Sequence, residues 1–340
     1  MKIGDLCTYA PKSSIKAGEA INNGKYMFFT SGADENKRYS DYQLDCEAII
    51  MGTGGNATLH YYNGKFSTST DCVVLIPNEY IRCKYLYYFF LCNMVTLENG
   101  FKGAGLKHTN KNYISNIEIY NVPNIETQDK IIKALNMVFG IKFYYQQQLQ
   151  KLDELVKSRF IEMFGDPLKN DKGLPMILGE ALFKLSNGKA LPNSKRFTEG
   201  IPAYGGNGVS WYTDEVLCDY DTIIIGRVGF QSGNVHLAEA PLWVTDNAMY
   251  ISNIYSKDCD IRFLCALMEH LDFTRYQDAG DLKKITQKPF MQMQYLMPPI
   301  SLQKQYIAFV EQVDKSKIAV QQALDKAQLL FDSLMQKYFG

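Results

Sequence analysis

The first half of this chain recurs in its second half, and a duplication restricts the fold to two like units in series more firmly than any local motif does. Two Phe-Gly pairs, Phe164-Gly165 and Phe339-Gly340, stand 175 residues apart, and the same shift lays Ile3-Gly4-Asp5 on Leu178-Gly179-Glu180. It also lays Val122-Pro123-Asn124-Ile125 on Met297-Pro298-Pro299-Ile300, Gln128 on Gln303, Ser158 on Ser333 and Thr70-Asp71 on Thr245-Asp246. Between these anchors the shift drifts slightly, as loop insertions would make it. Ile49-Ile50-Met51-Gly52 matches Ile223-Ile224-Ile225-Gly226, and Tyr85-Leu86 matches Phe263-Leu264.

Each copy opens on an irregular stretch rich in Gly, Asn and aromatics, with β-type runs at 48–51 and 72–76 and again at 222–225 and 248–251. Short helices are expected at 84–94 and 261–271. A long helix closes each copy. Its seam steps by four and three through Ile131, Leu135, Val138, Lys142, Tyr145, Leu149, Leu152, Val156, Phe160 and Met163. The shifted set is Tyr306, Val310, Val313, Lys317, Val320, Leu324, Ala327, Phe331, Met335 and Tyr338, with a lysine at the same seam position.

One such pattern would ordinarily mean an amphipathic helix packed on its own domain. Two matching seams of about five heptads, ~57 Å each, favour helices that pair with each other. Since each helix follows its own globular domain, antiparallel pairing would hold the domains at opposite ends. The expected fold class is therefore α+β: tandem α/β domains at 1–124 and 176–299 and long helices at 125–165 and 300–340. The helices pair as an antiparallel coiled coil with pseudo-two-fold symmetry. Asp-Pro, Asn-Asp and Lys-Gly dipeptides mark 166–175 as a linker.

With 340 residues, 46% of them apolar, the chain has material for two cores. The eight cysteines (Cys7, Cys46, Cys72, Cys83, Cys92, Cys218, Cys259, Cys265) fall singly, which points to reduced, packed thiols. Met1-Lys2-Ile3-Gly4-Asp5 lacks a signal-peptide pattern and no apolar run reaches about 18 residues, so a cytoplasmic location away from membranes is expected. Lys+Arg 36 balance Asp+Glu 36, so any attraction for phosphate must come from a local basic stripe.

Catalytic constellations are missing from the sequence. Met297-Pro298-Pro299-Ile300 has the prolines of an adenine methyltransferase turn, but Met297 cannot accept from an exocyclic amine and Ile300 cannot stack on a flipped base. A turn before the second long helix is the plainer reading. Gly52-Thr53-Gly54-Gly55 and Tyr204-Gly205-Gly206-Asn207-Gly208 are not dinucleotide fingerprints, and no Walker-type loop occurs. His60, His108, His236 and His270 have no metal or triad spacing. No catalytic residue, metal or cofactor is expected.

Donors for phosphate and base edges are present on expected loops. Lys107, His108, Asn110 and Lys111 form one dense group, and Lys283, Lys284, Gln287 and Lys288 form its equivalent. Each group follows an Ala-Gly pair, and its recurrence argues against a merely solvated loop. A second set is polar and aromatic: Ser31 with Arg38 and Tyr39, and Tyr204, Gly205, Gly206 and Asn207 with Trp211. Asn can read adenine bidentately, although Asn-Gly also serves simply as a turn. Asn56, Arg227 and Gln231 follow the central strands and complete the candidates.

At this point the chain resembles, along nearly its full length, the specificity subunits of type I restriction-modification systems. The first copy carries Tyr26-Met27-Phe28-Phe29-Thr30-Ser31, Asp45-Cys46-Glu47-Ala48-Ile49-Ile50, Tyr61-Tyr62-Asn63-Gly64-Lys65-Phe66 and Gly103-Ala104-Gly105-Leu106-Lys107. The second carries Ile201-Pro202-Ala203-Tyr204-Gly205-Gly206-Asn207-Gly208, the stretch 223–229 and Pro298-Pro299-Ile300-Ser301-Leu302-Gln303-Lys304-Gln305. Their order, repeated with a heptad helix after each, carries the resemblance. Two departures are Val122-Pro123-Asn124 in place of a double proline and Asp71-Cys72 in place of a basic residue.

The resemblance implies two target-recognition domains, each reading half of an asymmetric double-stranded DNA site, with the helices as spacer. It implies a non-catalytic subunit that joins modification methyltransferase subunits, two per chain, and restriction translocase or nuclease subunits. The complex would be an adenine-specific DNA methyltransferase and restriction endonuclease. The alternative is a stand-alone duplicated DNA-binding or structural protein.

Overall fold

A computed structural model describes residues 1–340 apart from 33, 35, 104, 106, 281 and 282, so part of the family-like stretch 103–107 lies outside the described residues. Two compact units result, Met1–Gln147 with Gln321–Gly340 and Gln148–Val320, and the division cuts each long helix near its middle.

In the first unit the described strands form one sheet. Its order is Cys7–Tyr9, Cys72–Pro77, Leu44–Gly52, Leu59–Thr68, Tyr26–Phe29, Arg38–Tyr39. All neighbours are antiparallel except Tyr26–Phe29 against Leu59–Thr68. Its central strand reads as an unbroken apolar run because both faces are covered. Ile49 and Met51 pack with Leu86, Phe90 and Leu135, whereas Ala48 and Ile50 pack with Phe29, Phe66 and Val74.

The second unit repeats the arrangement with its sheet divided. Val235–Ala238, Thr222–Gly226, Ala248–Ile254 and Phe183–Asn187 form an antiparallel sheet, and Gly208–Thr213, Ile201–Gly205 and Trp243–Val244 form a mixed one in which Trp243–Val244 runs parallel to Ile201–Gly205. Ile223 and Ile225 face Phe263 and Leu264, while Ile224 faces Leu242 and Val244. In both copies the residue alternation of one strand thus serves two cores.

The long helices are Ile125–Phe164 and Ile300–Phe339. Asn124 caps the first, its Oδ1 accepting the Thr127 N–H at 2.9 Å, and Gly165, at φ +75°, ends it. One buried glutamine fixes each helix start. Gln128 accepts from the Arg82 N–H at 2.7 Å and donates to the Tyr80 and Pro123 carbonyls. Gln303 accepts from the Asp260 N–H at 2.9 Å and donates to the Asp258 and Pro298 carbonyls. The duplicated glutamine is therefore a fully satisfied polar lock between each long helix and the start of the short helix before it, Cys83–Cys92 or Ile261–Glu269.

Within each unit the parts of the two long helices that it holds pack on each other. In the first unit Leu135 and Val138 are buried with Phe331, and the Lys142 ammonium lies 4.7 Å from the Phe331 ring centroid. Leu324 is half-buried there. In the second unit Lys317 meets Asp153 at 2.7 Å, Arg159 lies over Phe309, and Phe164 packs edge-on against Tyr306. Leu149, Leu152, Val156, Val310 and Val320 are half-buried and Val313 is buried. Burial works against the Lys317 charge, but Asp153 and Asp314 hold its pKa above the ordinary lysine value.

Among the described residues no helix is long and apolar enough to cross a membrane.

Candidate nucleic-acid interface

The two units build one loop arrangement twice, and backbone hydrogen bonds define it. In the first unit the loop after the central strand is zipped to the loop before the short helix Lys111–Ser115. The Gly55 N–H donates to the Lys107 carbonyl at 2.9 Å, the Thr109 N–H donates to the Thr53 carbonyl at 3.0 Å, and Gly54 bridges His108. The second unit repeats this before the helix Lys288–Gln292. There the Gly229 N–H donates to the Lys283 carbonyl at 2.8 Å, the Ile285 N–H donates to the Arg227 carbonyl at 2.9 Å, and Val228 bridges Lys284. Gly55 and Gly229 both turn the chain at positive φ, +85° and +93°, where a side chain would be strained.

A third segment presses on each zip. A Cβ at Gly52 would stand 2.8 Å from the Ser31 Cα, and one at Gly226 would stand 2.8 Å from the Gly206 carbonyl oxygen. Only glycine allows that approach. Ser31, Asn56, Lys107 and His108 are thereby gathered in the first unit, and Gly206, Arg227, Gln231, Lys283 and Lys284 in the second. Tyr204, Gly205 and Asn207 belong to the same hairpin as Gly206, between Ile201–Gly205 and Gly208–Thr213.

The remaining candidates lie apart or are engaged elsewhere. Arg38 and Tyr39 form the sheet's edge strand, with the Tyr39 ring against Phe28. Asn110 caps the helix Lys111–Ser115 by accepting from the Tyr113 N–H, and the Lys111 ammonium lies over Tyr9. Gln287 donates to Asn187 at 3.1 Å, and exposed Lys288 begins its helix. Trp211 stacks under the Arg196 guanidinium. Of the gathered residues, Gln231 has its side-chain oxygen engaged, accepting from Asn234.

Phe230 escaped the sequence reading. It is 89% exposed, follows the left-handed Gly229 and occupies the place next to Arg227 and Lys283 where the first unit carries Asn56. An aromatic residue directly after a turn glycine, in a loop already singled out for Arg227, was the available signal.

The chemistry gathered here is donation. Lysine and arginine cations and loop amides can meet phosphate oxygens and the acceptors of base edges. The cysteines are poor nucleophiles: burial pushes the Cys7 and Cys259 thiols up to about 12, and Cys83 and Cys265 higher still. Among the described residues no group of three or more His, Cys, Asp or Glu could hold a metal.

Comparison with known proteins bears on this geometry. Residues 1–153 match the family model described as the type I restriction modification DNA specificity domain. The chain is 22% identical over 157 residues to the type I restriction enzyme EcoDI specificity subunit of Escherichia coli, covering 46% of this chain and 34% of that protein. It is 28% identical over 178 residues to a putative type I specificity subunit of Mycoplasma pneumoniae, covering 50% and 47%. The chain thus spans a third to a half of the length of these curated relatives. The crystal structure of the type I restriction-modification S subunit from M. genitalium superposes with a TM-score of 0.71 at 17% identity, over 100% of this chain and 95% of that one. A chain from a structural study of complex assembly and conformational transition in the type I R-M system gives a TM-score of 0.52 at 14% identity, over 100% and 96%.

Proposed function

We propose that this chain, whose residues 1–153 match the type I restriction modification DNA specificity domain, is a type I restriction-modification specificity subunit that reads one double-stranded DNA site in two halves, one through the zipped loops of each unit. The observation that carries the proposal is the recurrence of the same two hydrogen bonds, the same left-handed glycine and a lysine at the same place in both units. A structural turn has no need of a repeated cation. A DNA reader does, because phosphate contacts fix the register in which base edges are read.

The long helices act as the spacer, and the paired surfaces of a duplicated chain offer two similar docking faces to modification methyltransferase subunits, two per chain. Restriction translocase or nuclease subunits complete the assembly. The chain itself contributes recognition, and its partners contribute the chemistry on adenine.

The assembled complex should enrich, from a pool of duplexes of random sequence, a motif of two short half-sites separated by a constant unread spacer. Enrichment of one contiguous motif, or of none, contradicts the proposal.

A further inference from the structure

Among the differences between the two zipped loops, one carries base chemistry. Thr53 and Arg227 occupy the same backbone place. Each follows the glycine that ends its central strand, each donates its N–H across the sheet, to Asp71 O at 2.8 Å or Asn247 O at 2.9 Å, and each accepts from the zip partner. The Thr53 hydroxyl turns back to the Asp71 carbonyl at 3.0 Å. Arg227 is half-buried as a residue, and among the described residues its guanidinium has neither a hydrogen-bond nor an ion-pair partner.

We propose that Arg227 reads a guanine in the half-site faced by the second unit, and that the first unit has no counterpart to this contact; the assignment rests on the DNA-recognition reading above. A five-donor fork held by a backbone bonded on both sides suits two parallel acceptors, and O6 and N7 of guanine are that pair in the major groove. The neighbouring cations, Lys283 and Lys284, are point charges on the adjoining loop and suffice for phosphate. Thr53, its hydroxyl engaged, leaves the first half-site to be read by other groups. The recognised site is asymmetric at this place for a stated chemical reason.

The test uses the full chain assembled with its modification subunits and a pool of random duplexes, comparing wild type with Arg227→Ala and Arg227→Lys. In both variants the preference for guanine at one position, in one half-site only, should fall roughly 5- to 100-fold, with every other position retained. Lysine keeps the charge and loses the fork, so it should relax the guanine while leaving the salt dependence unchanged. If the alanine variant fails to assemble, the lysine variant decides. A motif indifferent to both substitutions overturns the assignment. So does a loss spread evenly over all sequences with a salt slope lower by about one, which marks a phosphate contact. A wild-type complex that enriches no motif removes the premise itself; an enriched motif indifferent to Arg227 removes only this assignment.

Discussion

Phe160→Ala should destabilise the second unit by about 3–5 kcal/mol, the cost of deleting a fully enclosed aromatic ring that its surroundings cannot refill. The ring is wholly buried. Phe164 lies 5.0 Å from it, Tyr306 5.5 Å, Phe263 6.2 Å and the His270 imidazole 3.9 Å, the last stacked face to face. Phe160 comes from the first long helix, while His270 and Phe263 belong to the second unit's domain, so the ring joins helix to domain inside one core.

The same substitution has a pH signature. Burial holds the His270 pKa below the ordinary 6.5, so the unfolded state binds the proton more readily and wild-type stability falls as pH drops through about 6.5. Opening a cavity beside the imidazole should rehydrate it and flatten that fall. Chemical denaturation of wild type and variant at pH 7.5 and 5.5 reads both effects. A loss below about 1 kcal/mol would show that the ring is not a structural joint.

Lengthening the coiled coil should change the DNA motif more than any point substitution. Seven residues inserted after Gln148 and seven after Gln322 keep the seam in register, since the added length equals one heptad in each helix. The insertion adds ~10 Å at 1.5 Å per residue, and B-DNA advances 3.4 Å per base pair, so the unread spacer should widen by about three base pairs. The accompanying rotation along the coil sets the whole number. Both half-sites should survive unchanged, because no reading loop is touched. Modification at the original spacing by the lengthened protein would mean that partner subunits, and not the helices, position the domains.

The duplication and the seams are legible in the sequence because burial imposes a period. Leu135, Val138 and Phe331 are apolar where the helices meet, and Ile223-Ile224-Ile225 is continuous where both faces of a strand are covered. The zip between loops is not legible, because it is made of backbone groups that every residue carries. Nothing in the side chains of Thr53 or Ile285 announces the bond each makes. For the same reason Asn110 and Lys111 read as exposed donors, although the fold uses one as a helix cap and lays the other over Tyr9. Strand order is hidden as well, since Tyr26–Phe29 pairs with a strand more than thirty residues later rather than with its nearest long neighbour.

The division of labour between the two units is tested most directly by exchanging residues 1–120 for the corresponding domain of a relative that modifies a different motif, and mapping modified adenines in a host expressing the hybrid with its methyltransferase. One half of the motif should change to the donor's, while the other half and the spacer stay as they were. A hybrid that assembles and changes both halves together, or neither, would contradict the account, because the units would then read jointly or the first would not read at all.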